Sequence, residues 1–107
     1  VDLYDPVTNG WAATAPLITA RYDHTATVLA DGRLLVVGGF GGTPDTMNAG
    51  GAVLPSVEMD GPATGSWSAR AAMSVARSKH TATLLNSGLV LVAGGSDGPN
   101  AMATAEV

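Results

Sequence analysis

Two histidines, His24 and His80, lie 56 residues apart, and each follows an arginine by three positions, Arg21 and Arg77. A symmetric pair of imidazoles is half of a transition-metal site, which takes three or four ligands. No carboxylates cluster beside them. Asp23 precedes one histidine and Lys79 the other, and a cation in that place opposes metal binding. Hydrogen bonding within the repeat is the expected role of both histidines, and Arg21 and Arg77 are expected to bond backbone carbonyls or acids. The chain has no cysteine, so thiol catalysis, disulfides and thiolate-held zinc are excluded. No serine carries the surroundings of an activated nucleophile. Neither a catalytic residue nor a metal or other cofactor is expected.

Other residues invite binding chemistry. Trp11 and Trp67 could stack on sugars, but they recur at the same 56-residue spacing, which favours packing with the indole N–H on a carbonyl. The double glycines Gly38-Gly39 and Gly94-Gly95 are not followed by a helix start with Lys-Ser/Thr, as a phosphate loop requires. They read as points of positive φ or close backbone approach. The long loop from Phe40 to Leu54, carrying Asp45, Thr46 and Asn48, and the shorter loop with Asp97 and Asn100 are the candidate contact segments. Binding groups concentrate on loops held by a rigid scaffold. Two oxygen-bearing side chains in the shorter loop are too few for calcium, so a plain turn is expected there.

The elements that must hold these residues come in two copies. Residues 1–42 align on 57–98 without gaps, with 19 identities in 42 positions. The closest match is ARYDHTATVLADGRLLVVGG against ARSKHTATLLNSGLVLVAGG. A third start, Ala105-Glu106-Val107, matches Val57-Glu58-Met59 and Val1-Asp2-Leu3 at a spacing of 48. The unit is therefore 48 residues, with eight more in the first long loop. Inside it, His24 to Leu29 alternates as a strand does. Asp31-Gly32 signals a two-residue hairpin. Leu34 to Val37 reads as a strand buried on both faces. Val53 to Met59 reads as the third strand, and Trp67 opens the fourth. The second copy repeats this with Thr81 to Leu85 and Leu89 to Ala93. No stretch holds a helical period, so the chain is expected to be all-β.

These motifs resemble the kelch repeat: a double glycine ending the second strand, a tyrosine on the third, and a tryptophan opening the fourth. Gly38-Gly39 with Trp67, Gly94-Gly95, and Tyr4 with Trp11 carry the match, and Asp60 departs from it where a tyrosine belongs. The wording R-x-x-H-T-A-T-x-L-x-x-G is similar to bacterial kelch arrays. The resemblance implies four-stranded antiparallel propeller blades, two per chain, and a place outside a bacterial cell or at its surface. On this reading residues 1–14 are the outer strands of one blade, and 22–70 form a complete blade. Residues 78–95 hold the inner strands of a second blade, and 104–107 start the next unit. Galactose-oxidase-like propellers share the fold, but their copper site uses a tyrosine joined to cysteine, which this chain cannot make.

Composition sets outer limits. Asp plus Glu number 9 against 5 for Lys plus Arg, a net charge of −4, which argues against nucleic acid. No apolar run is long enough for a membrane-spanning helix. A start at Val1 reads as a processed, excised or engineered piece of something longer. A propeller has 4–8 blades, so two blades leave apolar faces open. Self-association is expected, with a homotrimer of six blades favoured over a dimer or tetramer, and the outer strands of the second blade supplied head to tail by the next copy. The expected function is a non-enzymatic scaffold that presents loops to a protein or glycan. Two alternatives stand beside it: a fragment of a larger propeller enzyme, and an engineered or evolutionary model of propeller assembly. Metal content and turnover separate the scaffold from the enzyme fragment.

Overall fold

A computed structural model describes residues 1–41, 51–61 and 65–107. Its described residues form strands, turns and bends, with no helix among them, so none is present to cross a membrane. The chain is all-β, as its periodicity predicts.

The central element is a four-stranded antiparallel meander. It runs β4 (Thr25–Val28), β5 (Leu34–Val37), β8 (Val57–Gly61) and β9 (Ser66–Arg70) in that order. Register pairs Thr25 with Val37, Val37 with Val57, and Val57 with Arg70. A second sheet repeats the plan 56 residues later with β10 (Thr81–Leu84) and β11 (Val90–Ala93), and adds β12 (Ala105–Glu106) as its third strand. Val92 pairs with Glu106 just as Val36 pairs with Glu58. Residues before the first full sheet make a separate hairpin of β1 (Asp2–Asp5) and β2 (Gly10–Ala13). A small sheet of β3 (Arg21–Tyr22), β6 (Phe40–Gly41) and β7 (Ala52–Val53) lies beyond one end of the four-stranded sheet.

Two local details differ from the sequence reading. The β4–β5 connection is a three-residue loop. Gly32 N–H donates to Leu29 O at 2.9 Å, and Leu29 N–H donates to Arg33 O at 2.8 Å. Gly32 has φ of 87°, the left-handed position of a turn followed by a bulge, which a side chain would strain. The second copy closes the same way, with Gly88 at φ 88°. The stretch expected as one strand from Val53 to Met59 is broken: Ala52–Val53 pairs with β6, and Pro55 intervenes before β8. Proline cannot donate to a ladder, so the chain leaves one sheet before joining the other.

β5 is central in its sheet, and Val36 and Val37, on opposite faces, are both buried. The core lies between the two repeat sheets, where Val37 and Val57 meet Val92, with Leu35, Met73, Ala82 and Val90 around them. Burying a valine contributes about 1.5–3 kcal/mol. Asp60 stands where the matching residue of the first copy, Tyr4, carries a ring. Its carboxylate accepts the Leu34 N–H at 2.5 Å, so it ties the two central strands together where β5 begins.

Candidate functional site

Each repeat carries one buried arginine held by one glutamate. Arg21 Nη1 donates to Gly38 O (2.8 Å) and Ser56 O (3.1 Å), and Nη2 donates to Ser56 Oγ (3.0 Å) and Glu58 Oε2 (2.6 Å). Arg77 repeats the set on Gly94 O, Thr104 O, Thr104 Oγ1 and Glu106 Oε2. Each glutamate also accepts two backbone N–H groups of the segment leading into its arginine. These are Ile18 and Thr19 for Glu58, and Ser74 and Val75 for Glu106. The Ser74 hydroxyl and N–H, with Val75 N–H and Arg77, hold the Glu106 carboxyl down to about 2. A planar guanidinium that bonds two carbonyls and a carboxylate pins the second strand, the third strand and the incoming linker together. The sequence anticipates carbonyl or acid partners for both arginines. It does not single out Glu58 and Glu106, although their spacing of 48 is the repeat length.

His80 bridges the repeats instead of bonding within one, while His24 is exposed. His80 is buried, and its Nε2 lies 2.9 Å from Thr25 Oγ1 of the preceding sheet. Its ring covers Gly38, where a Cβ would come within 2.8 Å of His80 Cε1 and 2.5 Å of Arg77 O. That close approach, at φ 60°, is what the first double glycine supplies. Gly39 N–H donates to Arg77 O, and at φ 95° a Cβ on it would meet Tyr22 O and His24. Burial, then the neighbouring Arg77 charge, lowers the His80 pKa. His24, though on the exposed side, is lowered by partial desolvation and then by Arg21. The two rings sit at matching positions of successive sheets. Among the described residues, no three His, Cys, Asp or Glu side chains gather into a cluster.

The tryptophans part company. Trp67 is half-buried and its Nε1 donates to Ala15 O at 3.1 Å, the packing role expected of both. Trp11 is 73% exposed and touches Tyr4, with ring centroids 5.1 Å apart. Its repeat position is the same, but among the described residues the hairpin that bears it pairs with no further strand. Gly94 (φ 66°) and Gly95 (φ 90°) match the first pair, yet only Gly95 is crowded, by Ser78 O and His80.

At the end of the sheets where the double glycines lie, a cleft of about 190 Å³ is lined by Tyr22, Asp23, Phe40, Ser78, Lys79, Ser96 and Gly98. Tyr22 and Phe40 form an aromatic wall, centroids 5.4 Å apart. The Tyr22 hydroxyl is buried and has no hydrogen-bond partner among the described residues. Asp23 (φ 54°) and Lys79 (φ 55°) both hold left-handed backbone conformations, and Lys79 N–H donates to Asp23 O at 3.0 Å. Non-glycine residues in that region cost about 1–3 kcal/mol each and concentrate at functional sites. The Ser96–Asn100 loop forms one rim. Asp97 N–H donates to Asn100 O, and Asn100 N–H to Asp97 Oδ1 at 2.9 Å, so both residues named from the sequence belong to a closed turn, Asp97 through its carboxylate and Asn100 through its backbone. Asp45, Thr46 and Asn48 lie outside the described residues.

The cleft residues were not singled out from the sequence, although a signal was there. Between the arginine and histidine common to both copies, Tyr22-Asp23 faces Ser78-Lys79, and after the double glycine Phe40 faces Ser96. Positions that differ inside a conserved frame of the repeat mark where framework duty ends. A larger cavity of about 490 Å³ between the sheets is lined mainly by aliphatic side chains, among them Leu35, Val57, Val90 and Val92. It offers burial rather than chemistry.

No protein-family model matches the chain, and no curated protein matches it.

Proposed function

We propose that the chain is a pair of kelch-type propeller blades acting as a non-enzymatic recognition module outside a bacterial cell, and that the cleft at Tyr22 takes a small polar group of its ligand. The four-stranded meander fits one blade, and β10, β11 and β12 fit three strands of the next. The observation that carries the binding reading is the Tyr22 hydroxyl, without a partner among the described residues, in a cleft that Phe40, Asp23 and Lys79 also line. Buried polar atoms are ordinarily satisfied, and a ligand hydroxyl would satisfy this one. At about 190 Å³ the cleft is below the roughly 300 Å³ of drug-sized sites. It has room for one sugar ring or one protein side chain. Aromatic faces with flanking hydroxyls and charges suit a saccharide.

A glycan array followed by nuclear magnetic resonance titration tests this. A saccharide hit should shift Tyr22, Lys79 and Ser96, and Tyr22→Phe should weaken it at least fivefold, the loss of about one hydrogen bond. Silence on the array and against extracellular proteins, or shifts confined to residues far from the cleft, would refute it.

A further inference from the structure

The contact between the two repeat sheets is a template, and each half of it is present a second time without its counterpart. Thr25 is half-buried under His80, whereas its equivalent Thr81 is exposed. His80 is buried against Thr25, whereas its equivalent His24 is exposed. Gly38 is covered by Arg77 O and His80, whereas around Gly94 the nearest atom to an added Cβ is Met102 O at 3.7 Å. Trp67 caps Ala15, and the equivalent linker residue, Ala71, lines the 490 Å³ cavity, which no tryptophan lines. Trp11, meanwhile, stands 73% exposed.

We infer that a second copy of this chain docks head to tail on the β10–β11 sheet, placing its His24 on Thr81, its Trp11 over Ala71 and its β1–β2 hairpin as the outer strands of that sheet. The spacing of 48 that relates Glu58 to Glu106, added to 56, brings position 1 of one copy onto position 105 of another. The second copy's Asp2 then takes the place of Glu106 on Arg77, and β12 gives way to β1. The exchange replaces a two-residue strand by a four-residue one that brings its own hairpin partner. The second copy's Arg21 carbonyl and His24 ring would cover Gly94 as Arg77 and His80 cover Gly38. Repetition of one heterologous contact closes a ring when the rotation permits, and three copies of two blades would give six. The inference rests on the blade reading, because it uses the observed contact between sheets as its pattern.

The cysteine-free sequence gives a clean test. A chain bearing His24→Cys is mixed with a chain bearing Thr81→Cys and treated with a short bis-maleimide. A separate chain carries Thr25→Cys with His80→Cys. The mixture is expected to yield a two-chain product that neither chain forms alone, and Trp11→Ala on the His24→Cys chain should reduce its yield at least tenfold. The double variant should link within one chain. An internal link with no product from the mixture, or a product that Trp11→Ala leaves unchanged, would overturn the assembly and leave the blade reading standing. Absence of the internal link would remove the blade reading and the inference with it.

Discussion

Replacing Glu58 by Gln removes the charge that the Arg21 guanidinium faces while keeping the size of the side chain. Both partners are buried, with side-chain exposures of 3% and 0%, and the Nη2–Oε2 distance is 2.6 Å. Glu58 also accepts the N–H groups of Ile18 at 2.6 Å and Thr19 at 3.1 Å, so three donors lose a charged acceptor. Charge-assisted hydrogen bonds contribute about 1.5–3 kcal/mol each. Their sum overstates the loss, since ionised Glu58 is itself desolvated. Breaking one side of a buried pair costs about 3–5 kcal/mol, because the other charge stays buried without compensation. A chain of this size has about 5–15 kcal/mol of stability in all. The expected loss is thus about 3 kcal/mol or more, read as a lower urea midpoint followed by tryptophan fluorescence, with a Tm lower by roughly 12 °C or more. Glu106→Gln should lose less, because the Glu106 side chain is 23% exposed and its pair distance is 3.2 Å. A Glu58→Gln loss under about 1 kcal/mol, or one equal to that of Glu106→Gln, would refute the claim that the arginine–glutamate contact fastens each sheet.

Other outcomes follow from the same geometry. Gly38→Ala should destabilise the chain by more than Gly94→Ala in urea melts. Both take up a left-handed φ, which costs a side chain about 1–2 kcal/mol, but only Gly38 has Arg77 O and His80 within contact. Trp67→Ala should cost about 3 kcal/mol, the low end for a truncated aromatic in a core, because Trp67 is half-buried; equal losses from Trp67→Ala and Trp11→Ala in the single chain would contradict their different settings. Acid should act in two steps. His24 and His80 have lowered folded pKa values, so the stability they contribute is present above 6.5 and falls as pH drops below it. Glu106, lowered from 4.5 to about 2, contributes stability present above 4.5 and lost as pH falls toward 2. Stability against pH should show both declines, and His80→Gln should shrink the upper one while sparing the lower.

Much of the fold was legible because its signals are local and come twice. Leu34 to Val37 is buried on both faces, as an unbroken apolar run bounded by glycines implies, and the strands flanking it follow from alternation and turn residues. The turn differs by one residue from its sequence reading because Asp31-Gly32 serves a two-residue loop and a three-residue bulged loop equally well, and only the Leu29 pairing with Arg33 separates them. The break between Val53 and Met59 has its signal in Pro55, which cannot donate to a ladder, but the pairing of Ala52–Val53 with the small sheet is a tertiary effect. At the candidate site the framework residues were legible from recurrence. Arg21 and Arg77 take matching roles in both copies and the double glycines share a positive φ, but the histidine bond crosses between copies, which a pattern read within one unit cannot reveal. The cleft was not legible because its seven residues come from four separated segments, and six of them differ between the two copies. Trp11 shows the limit of recurrence: identical position predicts identical burial only where the neighbouring sheet is present.

The contact of His80 with the preceding repeat is the most direct point of test. In a nuclear magnetic resonance spectrum, the His80 Hε1 proton should show a nuclear Overhauser effect to the Gly38 α-protons, and the Thr25 side chain one to the same ring. Those cross-peaks, alongside the β4–β5 and β10–β11 strand pairings, are the expected result. Strand pairings within each repeat with no cross-peak from His80 to Gly38 or Thr25 would mean that the sheets form separately, and would contradict the account.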